Sequence, residues 1–178
     1  WEFTDTDLGL TFSQPQIAAD LPDRWVAIVG NGYNSDDGKA FLYVVDLASG
    51  TQLAKIATNN ESNNGLSTPF AFDNNGDKIV DVVYAGDLQG NLWKFVNTSG
   101  AWSLGNGGQP LFTASNGGNR QPITAQPTAA ITDTAQTMVY FGTGASIFSA
   151  WMLIQGLTRQ QAGAGQLTAS LPVRERDR

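Results

Sequence analysis

Cysteine and histidine are both missing from the 178 residues. No disulfide, thiolate nucleophile, Ser-His-Asp triad, histidine-based zinc site or c-type haem attachment can be built from such a chain. The lack of disulfides leaves the compartment open, because an extracytoplasmic protein of this size does not need them. Charge is sparse as well: Asp, Glu, Lys and Arg make up 15% of the chain, and the formal balance is −6. Phosphate recognition needs clustered lysine and arginine, which argues against nucleic acid as a partner. The one basic concentration, Arg174, Arg176 and Arg178, is interrupted by Glu175 and Asp177 and reads as a solvated tail. No apolar run reaches the roughly 18 residues that mark a transmembrane helix; residues 147–154 come nearest and are far too few. Nor is there an initiator methionine or a signal peptide. The start at Trp1-Glu2-Phe3 reads as an excised piece of something longer.

What is abundant is glycine, at 20 residues, set among short apolar runs in a chain that is 41% hydrophobic. Short apolar segments joined by polar, glycine-rich connectors point to an all-β fold. Three glycine signals follow apolar runs: Val29-Gly30-Asn31-Gly32, Ala85-Gly86-Asp87 and Phe141-Gly142-Thr143-Gly144. Residues 30, 86 and 142 are evenly spaced, and each signal is preceded by a proline, at Pro15, Pro69 and Pro127. A third register follows: Leu42-Tyr43-Val44-Val45 lies ahead of Gly50, as Leu92-Trp93-Lys94-Phe95 lies ahead of Gly100. Four antiparallel strands per repeat of this length is the pattern of a β-propeller blade, whose two faces are buried only by neighbours. The other reading is a single β-sandwich with coincidental spacing.

Residues 1–144 are thus expected to be a partial β-propeller of about three blades, with Trp1-Glu2-Phe3 as the tail of a preceding Trp-x-Phe strand. Three blades are too few to close, so further blades are expected before Trp1 and after about Gly144. Residues 145–178 form a divergent tail, because the Gly-x-Leu-aromatic strand due after Gly144 is missing. Residues 148–161 can form a helix, and the Gln, Ala and Gly beyond them read as flexible or disordered.

One loop carries chemistry. Asp73-Asn74-Asn75-Gly76-Asp77-Lys78-Ile79-Val80-Asp81 puts oxygen-bearing side chains at positions 1, 3, 5 and 9. Calcium takes six to eight hard oxygen ligands, and a tight loop with alternate residues facing inward supplies them. Ile79, at position 7, would offer its backbone carbonyl, so an apolar side chain is tolerated there. An EF-hand would need a bidentate Glu at position 12, where this chain has Tyr84. Lys78 stands at position 6, where glycine is commoner. Three carboxylates repel one another without the ion, so the empty loop is expected to be mobile. A plain polar turn is the bland alternative, since Asn-Gly alone specifies one.

Other acidic residues read as structural. Residues 34–38 look like a turn between strands, Asp5 and Asp7 like solvated loop residues, and Asp46 and Asp87 like turn caps. No pair of carboxylates is identifiable by spacing as general acid and base, and no enzyme is expected.

Immediately after this loop, Val82-Val83-Tyr84-Ala85-Gly86-Asp87-Leu88-Gln89-Gly90-Asn91-Leu92-Trp93-Lys94-Phe95 resembles the PilY/PilC family of type IV pilus biogenesis and adhesion proteins, in their C-terminal β-propeller. Trp1-Glu2-Phe3-Thr4-Asp5-Thr6-Asp7-Leu8-Gly9, Gly30-Asn31-Gly32-Tyr33 and Phe141-Gly142-Thr143-Gly144 support the resemblance. It implies a modified seven-bladed propeller on an extracytoplasmic protein of the cell surface and pilus tip. Pilin or minor pilins are the partners it implies, with a host surface as a further one. It also implies that calcium on Asp73, Asn75, Asp77, Ile79 and Asp81 favours pilus extension, and that calcium release permits retraction and twitching. Two other readings differ in kind. Val45-Asp46-Leu47-Ala48-Ser49-Gly50-Thr51 resembles a turn of quinone-cofactor dehydrogenase propellers, and a surface adhesin unrelated to pili could carry the same loop.

Overall fold

A computed structural model describes residues 1–59, 61–133 and 135–144. Four strands, β1 (Gln16–Leu21), β2 (Arg24–Gly30), β3 (Phe41–Asp46) and β4 (Gln52–Ala57), form an antiparallel sheet in sequence order. The next four, β5 (Phe70–Phe72), β6 (Val82–Gly86), β7 (Asn91–Thr98) and β8 (Ala101–Leu104), repeat that order in a second sheet. Beyond a short 3-10 turn, β9 (Phe112–Thr113) pairs with the start of β7, where β8 does not reach. A small hairpin of β10 (Ser115–Asn116) and β11 (Asn119–Arg120) follows. The antiparallel pair β12 (Thr128–Ile131) and β13 (Thr137–Tyr140) then begins a third unit. The expected fold class holds: each proline signal leads into the first strand of a unit. The proposed helix over 148–161 and the tail from 145 lie outside the described residues.

Side-chain alternation decides how the sheets stack. Successive residues of a strand point to opposite faces. In β3, Leu42 and Val44 join one core while Phe41, Tyr43 and Val45 join another. In β6, Val83 and Ala85 face the first core, and Val82 and Tyr84 face a third that also holds Val139 and Phe141. The first core therefore lies between the two full sheets, and the third lies between the second sheet and β12–β13. This is why β3 and β6 read as unbroken apolar runs: both of their faces are covered. Each fully buried Leu, Val or Phe contributes roughly 1.5–3 kcal/mol of transfer free energy. First strands approach first strands (β1 to β5, β5 to β12), and outer β4 approaches outer β8, as in blades arrayed about one axis.

The glycine spacing has a steric cause. A Cβ on Gly30 would lie 2.2 Å from the Ser67 carbonyl oxygen, and one on Gly86 would lie 2.2 Å from Ile123 Cγ2. At equivalent points of the two sheets, the chain leading into the next unit crosses directly over a bare backbone. Only hydrogen fits there.

The N-terminal segment departs from expectation. Residues 1–3 form no strand. Phe3 instead packs edge-on against Tyr43 at 5.3 Å, and the Trp1 indole lies against Gly50 while its Nε1 donates to the Leu47 carbonyl. Asp5 and Asp7, expected as solvated, are half-buried and share Lys55 at 2.7 and 2.5 Å. Tyr43 donates its hydroxyl to Asp5 as well. Burial opposes ionisation of Asp5, but hydrogen bonds from Lys55, the Asp7 amide and Tyr43 outweigh it and hold its carboxyl below the ordinary range.

Candidate metal centre

The β5–β6 hairpin positions the candidate loop. Its last ladder pair is Phe72 with Val82, and the Asp81 amide donates to the Phe72 carbonyl, so residues 73–81 project as one closed loop. Within it the oxygen-bearing side chains turn inward onto the loop's own amides. Asp73 Oδ1 accepts from Asn75 and Gly76, and its Oδ2 accepts from Lys78 at 2.7 Å. Asn75 Oδ1 accepts from the Asp77 amide and Asp77 Oδ1 from the Ile79 amide, each at 2.8 Å. Asp81 Oδ2 reaches back to the Asn74 amide at 2.7 Å, and Asn75 Nδ2 lies 3.5 Å from Asp81 Oδ1. The four side chains singled out by spacing are therefore gathered by one winding of backbone.

Desolvation is the largest single influence on Asp73 and opposes its ionisation, but the amides of Gly76, Lys78, Asn75 and Asp77 together outweigh it and hold its carboxyl below the ordinary value. Among the described residues, no three Asp, Glu, His or Cys side chains converge closely enough to hold a metal ion as they stand. The donor chemistry nonetheless fits a hard cation. Every candidate ligand is oxygen, and Asp73 Oδ2, Asn75 Oδ1 and Asp77 Oδ1 each accept from one amide, which takes one of an oxygen's two lone pairs. Lys78 has φ +72°, a left-handed conformation that suits glycine. That backbone requirement is why glycine is commoner at this position.

Two contacts could not be found from local spacing. Thr137 Oγ1 on β13 lies 3.4 Å from Asn74 Oδ1. Asn97 on β7 donates through Nδ2 to the carbonyls of Val80 and Asp20, 17 and 77 residues away. No periodic pattern marks either residue.

Asp87 proves to be more than a turn cap. Fully buried, it accepts from the Asn91 amide through Oδ1, and from Asn64, Asn91 and the Trp93 indole through Oδ2. All its partners are donors, so it acts as a core anchor. Asp46 does cap a turn, accepting from the amide and hydroxyl of Ser49. In the 31–40 connection a turn closes where the Gly38 amide meets the Ser35 carbonyl. A small cleft of about 60 Å³ opens beside Phe12, Tyr33 and Leu66, well below the roughly 300 Å³ at which small-molecule pockets begin. Among the described residues, no helix is long and apolar enough to cross a membrane.

Two antiparallel sheets of four strands in sequence order, the second extended by β9, stack face to face with a third begun beyond them, and define the class: a β-propeller domain with one elongated acidic hairpin loop. A family model of the PilY1 β-propeller domain matches residues 2–162, and the chain belongs to this family. Type IV pilus biogenesis factor PilY1 of Pseudomonas aeruginosa strain UCBPP-PA14 is 43% identical, over 72% of this chain and 14% of that protein. The Type IV pilus biogenesis factor PilY1 homolog of Xylella fastidiosa strain Temecula1 is 40% identical, over 84% of this chain and 12% of that protein. The crystal structure of the Pseudomonas aeruginosa PilY1 C-terminal domain matches with a TM-score of 0.75 at 35% identity, over 79% of this chain and 34% of that one. The chain spans far less than two thirds of each of these proteins.

Proposed function

We propose that this chain is the calcium-responsive part of a type IV pilus biogenesis factor's propeller. The 73–81 loop would hold the ion through Asp73, Asn75, Asp77 and Asp81 side chains and the Ile79 carbonyl. The observation that carries the reading is the shared winding: all four side chains already turn into one loop and accept hydrogen bonds from its backbone amides. When bound, the ion supplies positive charge that draws the carboxylates together and favours one ordered loop by its differential affinity.

In the pilus system this gives a binding and regulatory module rather than an enzyme. It works at the cell surface or pilus tip, in contact with pilins or minor pilins and with the surfaces the pilus adheres to. Loading with calcium favours extension, and release favours retraction. Support comes from family membership and from the relatives' designation as pilus biogenesis factors.

Calcium titration by isothermal calorimetry tests the site. One ion per chain is expected, lost in Asp77→Ala and Asp81→Ala. An Asp81→Ala variant that binds like the parent would sink the assignment. A twitching assay on a strain carrying Asp81→Ala then tests the role, with calcium-dependent extension expected to disappear.

A further inference from the structure

We infer that the calcium loop is a two-blade device, in which Asn97 is the positioning residue that ties ion binding to the seam between the first and second sheets. This rests on the calcium reading of the loop proposed above. Val80 stands between two candidate ligands, Ile79 and Asp81, and both sides of its backbone are committed elsewhere. Its amide donates to the Ala19 carbonyl of β1 at 2.8 Å, and Ile79 pairs with Ala19 in a parallel bridge. Its carbonyl accepts from Asn97 Nδ2 at 2.8 Å, and the same nitrogen donates to the Asp20 carbonyl at 2.9 Å. The Asn97 amide donates to the Asp81 carbonyl at 2.9 Å. One side chain on β7 therefore grips the closing arm of the loop and the end of β1 together.

Asn97 is itself held. Its Oδ1 accepts from the Gly100 amide at 2.7 Å, locking the β7–β8 turn, and Arg24 of the first sheet reaches the Gly100 carbonyl. Asp20, next to Ala19, is fully buried and accepts from Arg24 and from the Trp102 indole of β8. The closing arm of the loop, the end of β1 and the β7–β8 turn thus form one hydrogen-bonded unit across the seam. An ion that orders residues 79–81 must order Val80, and Val80 is the bond to the neighbouring sheet. Coupling of two binding equilibria is reciprocal, so sheet docking strengthens calcium binding as much as calcium strengthens docking.

Hydrogen exchange on the parent chain, with and without calcium, gives the first readout. The Val80 amide is expected to slow on calcium addition, while core amides of β3 stay unchanged. Calorimetry on Asn97→Ala gives the second: calcium affinity is expected to fall roughly tenfold, in the range seen for coupled sites. The calcium-induced rise in Tm should shrink with it. A merely structural Asn97 would lower Tm equally with and without calcium and leave affinity untouched. Thr137→Ala, on the opposite flank of the loop, should bind within about twofold of the parent, well inside a tenfold change in Kd. If the parent binds calcium but Val80 exchange does not change and Asn97→Ala binds like the parent, the coupling falls and the site stands. If the parent binds no calcium, the site falls and the coupling falls with it.

Discussion

The first hairpin of the β1–β4 sheet turns through Pro22 and Asp23 alone, whereas the same hairpin of the β5–β8 sheet runs through residues 73–81. Elsewhere the two sheets follow one plan, with the same strand order and the same glycine at the end of the second strand. In the first sheet the buried acidic group is Asp20, on β1 just before the turn, held against Arg24 and Trp102, while Asp23 of the turn itself is exposed. The long loop carries exposed or half-buried acidic groups, bonded to its own backbone amides and, at 3.5 Å, to the Asn75 side chain. A buried carboxylate with fixed side-chain donors holds a structure together. An exposed one on a flexible winding is free to exchange amides for an ion. The propeller plan tolerates the difference because the loop projects from the end of a hairpin, outside the packed faces.

Replacing residues 73–81 with Pro-Asp, the turn of the first sheet, should abolish calcium binding outright while far-UV circular dichroism keeps its β signature. Retained binding would place the ion elsewhere in the chain. Next in size, Asp20→Ala should lower the unfolding free energy by about 3 kcal/mol, since it leaves a guanidinium and an indole without their shared acceptor; urea denaturation reads this directly. A loss smaller than that of Asp73→Ala would reverse the assignment of anchor and exchangeable loop.

Lys78→Gly should raise the unfolding free energy by about 1 kcal/mol, by relieving left-handed backbone strain at φ +72° that is present without the ion; urea denaturation reads this too. An unchanged or lower value would mean that the strain is not released at this position. The smallest effect is acid sensitivity. The Asp73 carboxyl is held below its ordinary value of 3.8, so its contribution to the folded loop is complete above that pH. It is lost as pH falls through the lower folded value. Protection of the Lys78 and Gly76 amides against exchange, relative to an unstructured peptide at the same pH, should therefore fall below about pH 4, ahead of that in the Pro22-Asp23 turn.

Much of this was legible in the chain. The matching positions of Gly30 and Gly86 could be read because a steric rule, a chain crossing over bare backbone, recurs in both full sheets, whereas no described atom crowds a Cβ on Gly142. The acidic loop was legible because the hydrogen bonds accepted by its Asp73, Asn75, Asp77 and Asp81 side chains span at most seven residues, so local spacing encodes them. Asn97 was not, because its side-chain partners Val80 and Asp20 lie 17 and 77 residues away, on a loop of its own sheet and on a strand of the other. The ion-paired role of Asp5 and Asp7 was hidden in the same way, since Lys55 approaches only once β3 and β4 are paired. The β10–β11 hairpin interrupts the repeat with two-residue strands too short to leave a period of their own.

The divided edge of β7 has a bearing on how such a domain keeps to itself. A long strand with free amides invites another chain to pair alongside it. Here β7 presents no such row: β8 covers its far half from Phe95 to Thr98, and β9 covers Asn91 and Leu92. The new outer rims are only four and two residues long. An incoming strand would find two short steps at different places instead of one landing, so fibre-like growth from this rim has no template.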